Sequence, residues 1–150
     1  MIATLRAAQP TDAGTTGMIL YQAFQEDPDT SEIYAPVEAI AFCGTMIDRG
    51  WMTVAVQEGR VAGFMALAGG EICALYLAET ARGLGIGQQL LDLARQSHSK
   101  LSLRAAQSNR AAQRFYLRHG FAEMERSTGQ DSDERLPDIT YVWNKRECAA

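Results

Sequence analysis

The residues best suited to chemistry form a glycine-rich stretch near the middle of the chain, Arg82-Gly-Leu-Gly-Ile-Gly-Gln88. It follows an apolar segment, residues 71–77, that predicts a strand, and it leads into a helical pattern. Glycines lack the Cβ atoms that keep a ligand away from the backbone, and they adopt positive φ angles readily. The N–H groups at a helix start are free, and the helix dipole favours an anion beside them. The stretch therefore predicts a phosphate-binding turn.

Two common phosphate-binding motifs do not match this spacing. The P-loop requires a lysine directly after its last glycine, and no lysine follows Gly87. The dinucleotide fingerprint requires a third glycine at the position where this sequence has Gln88. The turn must therefore serve another kind of phosphate ligand.

The pattern Arg82-x-x-Gly85-x-Gly87 resembles the acetyl-CoA-binding motif of the GNAT superfamily of N-acetyltransferases, Gln/Arg-x-x-Gly-x-Gly/Ala. A second segment, residues 109–121, resembles that superfamily's Asn…Tyr-x-x-x-Gly-Phe segment and lies at the expected distance downstream. One helix and one strand separate the two motifs, and the matched core covers about residues 51–144. The resemblance implies an N-acetyltransferase that uses acetyl-CoA as co-substrate, without a metal.

The resemblance also implies where acetyl-CoA would lie. In this superfamily the strand before the glycine loop splays away from the next parallel strand, which places a gap between residues 73–77 and 103–105. A backbone N–H near Leu77 would polarise the acetyl carbonyl. The residues carried over as cofactor contacts are Leu75, Tyr76, Leu77, Arg82, Gly83, Leu84, Gly85, Ile86, Gly87, Gln88, Asn109, Ala112, Phe115 and Tyr116.

Two of these residues have a specific role in the family pattern and a simpler structural alternative. Tyr116 matches the general acid, because a phenol with a pKa near 10 is protonated at neutral pH and can donate to a thiolate. Its alternative is a core aromatic, as we expect for Phe115 and Phe121. Asn109 matches a pantetheine contact, and its alternative is a helix cap. Arg82 is expected to touch a phosphate of CoA.

The general base is less determined by the sequence. At neutral pH the ε-amine of a lysine, with a pKa near 10.4, is protonated about a thousand times more often than it is neutral. Reaching the neutral, nucleophilic form therefore costs about 4 kcal/mol, whereas for an α-amine the same step costs well under about 1 kcal/mol. Glu71 is the best carboxylate by position, with plain solvent exposure as its alternative. Glu79 lies closer to the loop.

The acceptor is a small-molecule or peptide amine of unknown identity. By resemblance, the acidic residues 26–32 would help to shape its pocket and would suit a cation, although such segments are often simply solvated. Asp131, Asp133 and Glu134 are expected in a solvated loop. His98 and His119 lack cysteine or carboxylate neighbours at metal spacing.

Composition sets wider limits. The chain has 150 residues, which suits one domain over residues 1–150, and its net charge of −4 argues against nucleic acid as a partner. No apolar run approaches membrane-spanning length, and residues 1–6 do not begin a secretory signal, so we expect no membrane association and a cytoplasmic location. Cys43, Cys73 and Cys148 are expected as free thiols. A homodimer is possible by family resemblance.

The elements that must position these residues follow from periodicity. Gly14 and Gly17 each weaken the first helix by about 1 kcal/mol relative to alanine. The parallel pair follows from the helix between its strands. The predicted strands are residues 2–6, 52–56, 61–67, 72–77, 101–105, 121–126 and 139–143. The predicted helices begin near residues 12, 36, 86 and 109; the first, second and fourth end near residues 24, 48 and 120, and the third includes residues 86–94.

Together these features predict an α+β GNAT fold: a mixed, mostly antiparallel twisted sheet with a splayed parallel pair and about four helices. The predicted reaction is direct acetyl transfer in a ternary complex, because no serine or cysteine has a recognisable base partner. The alternative is a non-catalytic acyl-CoA-binding sensor. A weaker third possibility is a nucleotide-binding domain that uses the same loop.

Overall fold

The computed structural model describes residues 2–129 and 136–148. The strands are β1 Thr4–Ala7, β2 Met52–Gln57, β3 Arg60–Ala68, β4 Glu71–Leu77, β5 Lys100–Ala106, β6 Ala122–Ser127 and β7 Asp138–Asn144. The helices are α1 Ala13–Gln25, α2 Pro36–Asp48, α3 Ile86–Ser97, α4 Arg110–Arg118 and the short α5 Lys145–Cys148, with 3-10 turns at Pro10–Asp12 and Glu79–Ala81. Every predicted helix and strand is present, whereas α5 was not predicted.

Part of the predicted polar loop before β7, with Asp131, Asp133 and Glu134, lies outside the described residues, as does the side chain of Cys148. In the described part, no helix combines the length and the apolar character needed to cross a membrane.

The seven strands form one sheet in the order β1-β2-β3-β4-β5-β7-β6. All neighbours are antiparallel except β4 and β5, which run parallel, as expected for strands joined through a helix. Their pairing is short: only Glu71 with Ser102 and Ile72 with Leu103 are in register. Beyond these residues the strands separate, which confirms the predicted splay.

A β-bulge explains why the splay begins where it does. On the other edge of β4, Ala74 pairs with Ala66, but Leu67 pairs with Ile72, so Cys73 is an extra residue without a partner. A bulge bends its strand and increases the local twist. β4 therefore turns away from β5 immediately after their last pair.

The helices cover the two faces of the sheet unequally. On one face, α3 and α4 pack over a core that includes Leu90, Leu103 and Tyr141. On the other face, α1 and α2 pack over β2, β3 and β4 around Phe64. Among the described residues, no helix forms such a layer on the same face of β5, β7 and β6, which carries the exposed side chain of Arg104. The described helices thus leave this half of the sheet uncovered beside the splay.

Candidate active site

The glycine loop links the end of β4 to the start of α3. Gly83 and Gly85 have φ angles of +78° and +84°, which other residues adopt only with strain. A Cβ atom on either glycine would meet nothing within 4 Å, so the loop surface is open. Gly85 is the N-cap of α3, and no side chain in the described part caps the helix. The first N–H groups of α3 are therefore available to an anion.

Gly87 has a different purpose, which is packing. A Cβ atom there would lie 3.0 Å from Cζ of Phe115 on α4. The missing side chain lets the start of α3 lie against the aromatic segment of α4. The two motifs recognised separately in the sequence are thus neighbours in space.

The backbone of β4 supplies hydrogen-bonding groups to the splay. The N–H of Ala78 donates to the carbonyl oxygen of Ala62 on β3 at 2.8 Å. Antiparallel hydrogen bonding alternates along a strand, so the backbone N–H of Tyr76 also points toward β3. The backbone N–H groups of Leu75 and Leu77 therefore point into the gap. This is the position at which the predicted carbonyl-polarising N–H is needed.

Asn109 is the N-cap of α4. Its Oδ1 accepts a hydrogen bond from the backbone N–H of Ala112 at 3.1 Å. The helix-cap alternative is therefore what this structure displays. Ala112 and Phe115 are partly buried against the core on the α3–α4 face, beside Leu75 and Leu77.

Tyr116 is 7% exposed and lies among aromatic rings. Its ring centroid is 5.2 Å from that of Phe115, 5.4 Å from Phe121 and 6.3 Å from Tyr141. Burial raises the pKa of Tyr116 well above its usual value. The phenol is therefore fully protonated at neutral pH, as an acid must be, and it is also part of the core.

Glu71 lies at the closed end of the splay. It is the exposed first residue of β4 and stands opposite Ser102, where the two strands still pair. Leu77 is at the other end of the strand, about 20 Å away at the usual rise of about 3.3 Å per residue. A proton passing between these two positions would need a chain of waters.

Arg82 is already paired. Its guanidinium forms a two-pronged contact with the carboxylate of Glu26, at 2.7 and 2.6 Å, and also donates to the carbonyl oxygen of Leu77 at 3.4 Å. Glu26 follows directly after α1, so the acidic segment touches the glycine loop. The contact lowers the pKa of the Glu26 carboxyl. Beside it lies a cavity of about 320 Å³, lined by Gln22, Glu26, Leu77, Glu79 and Arg82 among others.

Sequence reasoning missed Asp138. This residue begins β7, is 7% exposed and stands opposite Ala106 at the end of β5. The available signal was an acidic residue opening an otherwise apolar strand. Exposed Arg110, Arg114 and Arg118 were also passed over, although their spacing of four residues places them along one side of α4.

The remaining polar candidates are scattered. Within residues 2–129 and 136–148, no three His, Cys, Asp or Glu side chains group as metal ligands. His98 follows α3 and His119 follows α4. Cys43 is buried and Cys73 is exposed, and both are free thiols, as predicted.

The order of β-bulge, splayed parallel strands, glycine loop and helix start defines a known class. The sequence profile of the acetyltransferase (GNAT) domain matches residues 48–123, just over half of the chain. The protein belongs to the GNAT family of acetyltransferases, and the resemblance seen in its motifs is confirmed.

Individual relatives agree with this assignment. The chain is 31% identical over 93 residues to the peptidyl-lysine N-acetyltransferase YjaB of Salmonella typhimurium, a match that covers 62% of this chain and 63% of that protein. The chain thus aligns with less than two thirds of that relative's length. In fold, it is similar to the solution structure of apo YjaB from Escherichia coli, with a TM-score of 0.78 and 23% identity over 95% of this chain and 98% of that one.

A further structure of the same fold contains the cofactor. The chain is similar to the PaiA N-acetyltransferase of Thermoplasma acidophilum in complex with coenzyme A, with a TM-score of 0.70 and 17% identity over 96% of this chain and 99% of that one. At this identity the similarity shows a shared fold.

Proposed function

We propose that this protein transfers an acetyl group from acetyl-CoA to a primary amine, with both substrates bound together. One observation carries the proposal: the outward-facing amides of β4 run along the splay to the open glycine loop at the start of α3. A thioester with a phosphate-bearing tail matches this combination. The thioester needs amide donors in a gap, and the phosphates need a helix start.

The proposed cofactor-binding residues follow from the positions of the gap and the glycine loop. The pyrophosphate would lie on the backbone of residues 83–88, and the pantetheine arm would lie in the gap beside residues 75–77, Asn109, Ala112 and Phe115. Arg82 would contact a phosphate if its guanidinium breaks its hydrogen bonds to Glu26, or keeps one of them and donates another to the phosphate. The arginines of α4 offer further positive charge. When bound, acetyl-CoA supplies an activated acetyl group and a thiolate leaving group.

The chain's own groups then have distinct tasks. The N–H of Leu77, with that of Leu75 beside it, would stabilise negative charge on the acetyl oxygen. Tyr116 would donate a proton toward the CoA sulfur. Glu71 is the carboxylate that the sequence favours as proton acceptor, and from the closed end of the splay it would act only through a chain of waters. Burial and the neighbouring Glu71 raise the pKa of the Cys73 thiol, which disfavours a thiolate and therefore a covalent acetyl-enzyme.

The acceptor we propose is the ε-amine of a peptide lysine. YjaB carries the name peptidyl-lysine N-acetyltransferase, and the cavity beside Leu77 includes the carboxylates of Glu26 and Glu79. Arg82 balances the charge of Glu26, so the wall keeps the net negative charge of Glu79, which suits a cationic amine. The cytoplasmic location and the homodimer stay predictions, as does the alternative of a non-catalytic acyl-CoA sensor.

Calorimetric titration of acetyl-CoA and of CoA tests the cofactor assignment. The wild type should bind both in the micromolar range, and a Gly85→Glu variant should lose binding. Glutamate there adds bulk and negative charge where the pyrophosphate would lie, at a φ of +84°.

Gly59→Glu is the matched control. Gly59 has a φ of +77° and open space around it, but it lies in the β2–β3 turn away from the loop. It should keep wild-type affinity. Equal loss in both variants would point to misfolding, and a wild type that binds ATP or NAD instead of CoA would favour the nucleotide-binding alternative.

A further inference from the structure

The open half of the sheet carries a buried acid next to the splay. Ile139, Tyr141 and Trp143 of β7 point into the core under α3 and α4. Since side chains alternate along a strand, Asp138 and Thr140 point to the opposite face, which α1 and α2 leave uncovered. Asp138 is nevertheless 93% buried, with an exposed fraction of 7%. An acid at this position faces the side of the sheet that α1 and α2 leave uncovered, away from the core under α3 and α4.

Among the described residues, none donates a hydrogen bond to the Asp138 carboxylate. The bond at this residue involves its backbone, because Gln107 Nε2 donates to its carbonyl oxygen at 3.2 Å. Its carboxylate gains no donor within residues 2–129 and 136–148. The charged groups that face it are Arg104 from β5 and Glu125 from β6, and burial raises its pKa above the usual value for an aspartate. A largely buried carboxylate that the described residues leave without a donor is poised to accept a cation or a proton.

The register places this carboxylate at the open end of the splay. Asp138 is the partner of Ala106, the last residue of β5. Ile72 on β4 pairs with Leu103 on β5, and Cys73 is the extra residue of the bulge. If the register continues from there, Tyr76 lies level with Ala106 across the gap. Asp138 is thus level with the part of β4 whose amides face the gap, one strand spacing of about 4.8 Å beyond β5.

Glu71 occupies the opposite end. It is the partner of Ser102, four residues before Ala106 on β5. That difference corresponds to about 13 Å along the strands. Of Glu71 and Asp138, Asp138 is therefore the carboxylate level with the amides of the open gap.

We infer that Asp138 binds the ammonium group of the acceptor amine and takes its proton. This inference rests on the proposed acetyl transfer and deepens it by naming the group that receives the acceptor. The acceptor class is a primary ammonium on a flexible arm, as in a lysine side chain.

The proton balance is complete with the groups already named. Asp138 takes one proton from R–NH₃⁺ and becomes a neutral carboxylic acid, which later releases that proton to solvent. The amine nitrogen forms its bond to the acetyl carbon as the carbon–sulfur bond breaks. Its second proton leaves for the sulfur by way of Tyr116. The products are the amide, CoA with a free thiol, and one proton in solution.

The test compares Asp138→Asn with the wild type, using acetyl-CoA and N-acetyl-lysine amide, whose only amine is the ε-amine. CoA affinity should be unchanged, because Asp138 lies outside the proposed cofactor contacts. At pH 7.5 kcat/KM should fall by about 10²–10³-fold, within the range of lost general-base catalysis. The variant's kcat/KM should then rise about tenfold per pH unit toward the amine pKa near 10.4, because only the already neutral amine can react.

Glu125→Gln is the matched control. It removes a neighbouring carboxylate on the same face and should change kcat/KM by less than about threefold. A second measurement, titration of N-acetyl-lysine amide into protein saturated with CoA, needs no turnover. Asp138→Asn should weaken that binding about tenfold or more.

Several results would overturn the inference. One is an Asp138→Asn variant that keeps the wild-type kcat/KM and the wild-type affinity for N-acetyl-lysine amide. Another is an equal loss in Glu125→Gln, which would assign the effect to the field of the whole face. A third is a Glu71→Gln variant that alone shows the steep rise with pH. A wild type that fails to bind CoA would instead remove the proposed function itself, and the first titration reveals this separately.

Discussion

At the scale of single residues, the pairing of Arg82 with Glu26 changes what the glycine motif can do. The sequence suggests a free loop cation waiting for a phosphate. In the structure, that cation is neutralised by an acid from the end of α1, so a phosphate must compete with Glu26 for the guanidinium. If Arg82 contacts CoA as proposed, we expect Glu26 to lower cofactor affinity by competing for the guanidinium.

Replacing Glu26 by glutamine should therefore tighten CoA binding. An exposed ion pair contributes about 0.2–1 kcal/mol, so releasing Arg82 should raise CoA affinity up to about fivefold at low salt. The gain should shrink at high ionic strength because exposed charges are screened. Calorimetric titration at two salt concentrations measures both effects.

Glu79→Gln provides the comparison for this prediction. Glu79 also raises the pKa of Arg82 through its charge, but it is not the carboxylate that hydrogen-bonds Arg82. Its effect should be smaller. If Glu26→Gln instead weakens CoA binding as much as Arg82→Gln does, the pair holds the loop in shape and Arg82 is not a phosphate ligand.

Residue types and spacing predicted the cofactor loop because its chemistry is local. Gly83, Gly85 and the start of α3 are contiguous, and a contiguous pattern is visible in sequence. Asp138 and the Glu26–Arg82 pair depend on strand register and on helix placement across the sheet. Residues 26 and 82 are 56 positions apart, and no pattern in the sequence links them.

At the scale of elements, periodicity was sufficient to locate the strands and helices, and the predicted bounds 36–48 match those of α2. The bulge at Cys73 could not be predicted in this way. An extra residue is recognisable only against a paired strand, and a single strand's pattern contains no partner. The resemblance to a family predicted the splay, and the pairing of β3 with β4 shows its physical cause, the bulge.

Gly17 shows the same limit for helices. Considered alone, it weakens α1, as we predicted from propensity. In the structure it is buried at the contact with α2, where a Cβ atom would lie 2.5 Å from the Cα of Ile40. The glycine permits close packing of the two helices, so its local cost is offset by tertiary contact.

Two alanine variants separate these effects. Gly17→Ala should lower the free energy of unfolding by about 1–3 kcal/mol, because the helices must move apart. Gly14→Ala, in the same helix with nothing within 4 Å of its Cβ position, should raise it by about 0.5–1 kcal/mol. Urea denaturation measures both. A stabilising Gly17→Ala would mean that α1 and α2 adjust freely, and that their packing does not fix the wall of the proposed acceptor cavity.

At the scale of the whole molecule, two buried acids lie toward opposite edges of the sheet in opposite electrostatic states. Asp12, between β1 and α1, accepts hydrogen bonds from Arg6 at 2.8 and 3.1 Å and from the backbone N–H of Gln9 at 2.7 Å. The Arg6 contact is the largest of the causes that lower its pKa. Asp138 has no such donors in the described part of the chain, and burial raises its pKa. One acid stabilises the fold when ionised, and the other is strained when ionised.

These opposite shifts predict opposite pH dependences of stability. A lowered folded-state pKa gives stability that is present above the unfolded pKa of about 3.9 and is lost as the pH falls through the folded value. Asp12→Asn should therefore be less stable than the wild type near pH 7, and the difference should fade in acid. A raised folded-state pKa costs stability as the pH rises from about 3.9 through the folded value. Asp138→Asn should match the wild type in acid and exceed it near pH 7.

Urea denaturation of both variants from pH 3 to pH 7 checks this pair in one experiment. The comparison bears on the chemistry, since an acid kept at a cost to the fold is what a proton-accepting site requires. If Asp138→Asn instead loses stability as the pH rises, in parallel with Asp12→Asn, a cation or donor already satisfies the Asp138 carboxylate. It would then be a structural residue of the β7 start, and the acceptor's proton would have to go to Glu71 or to solvent.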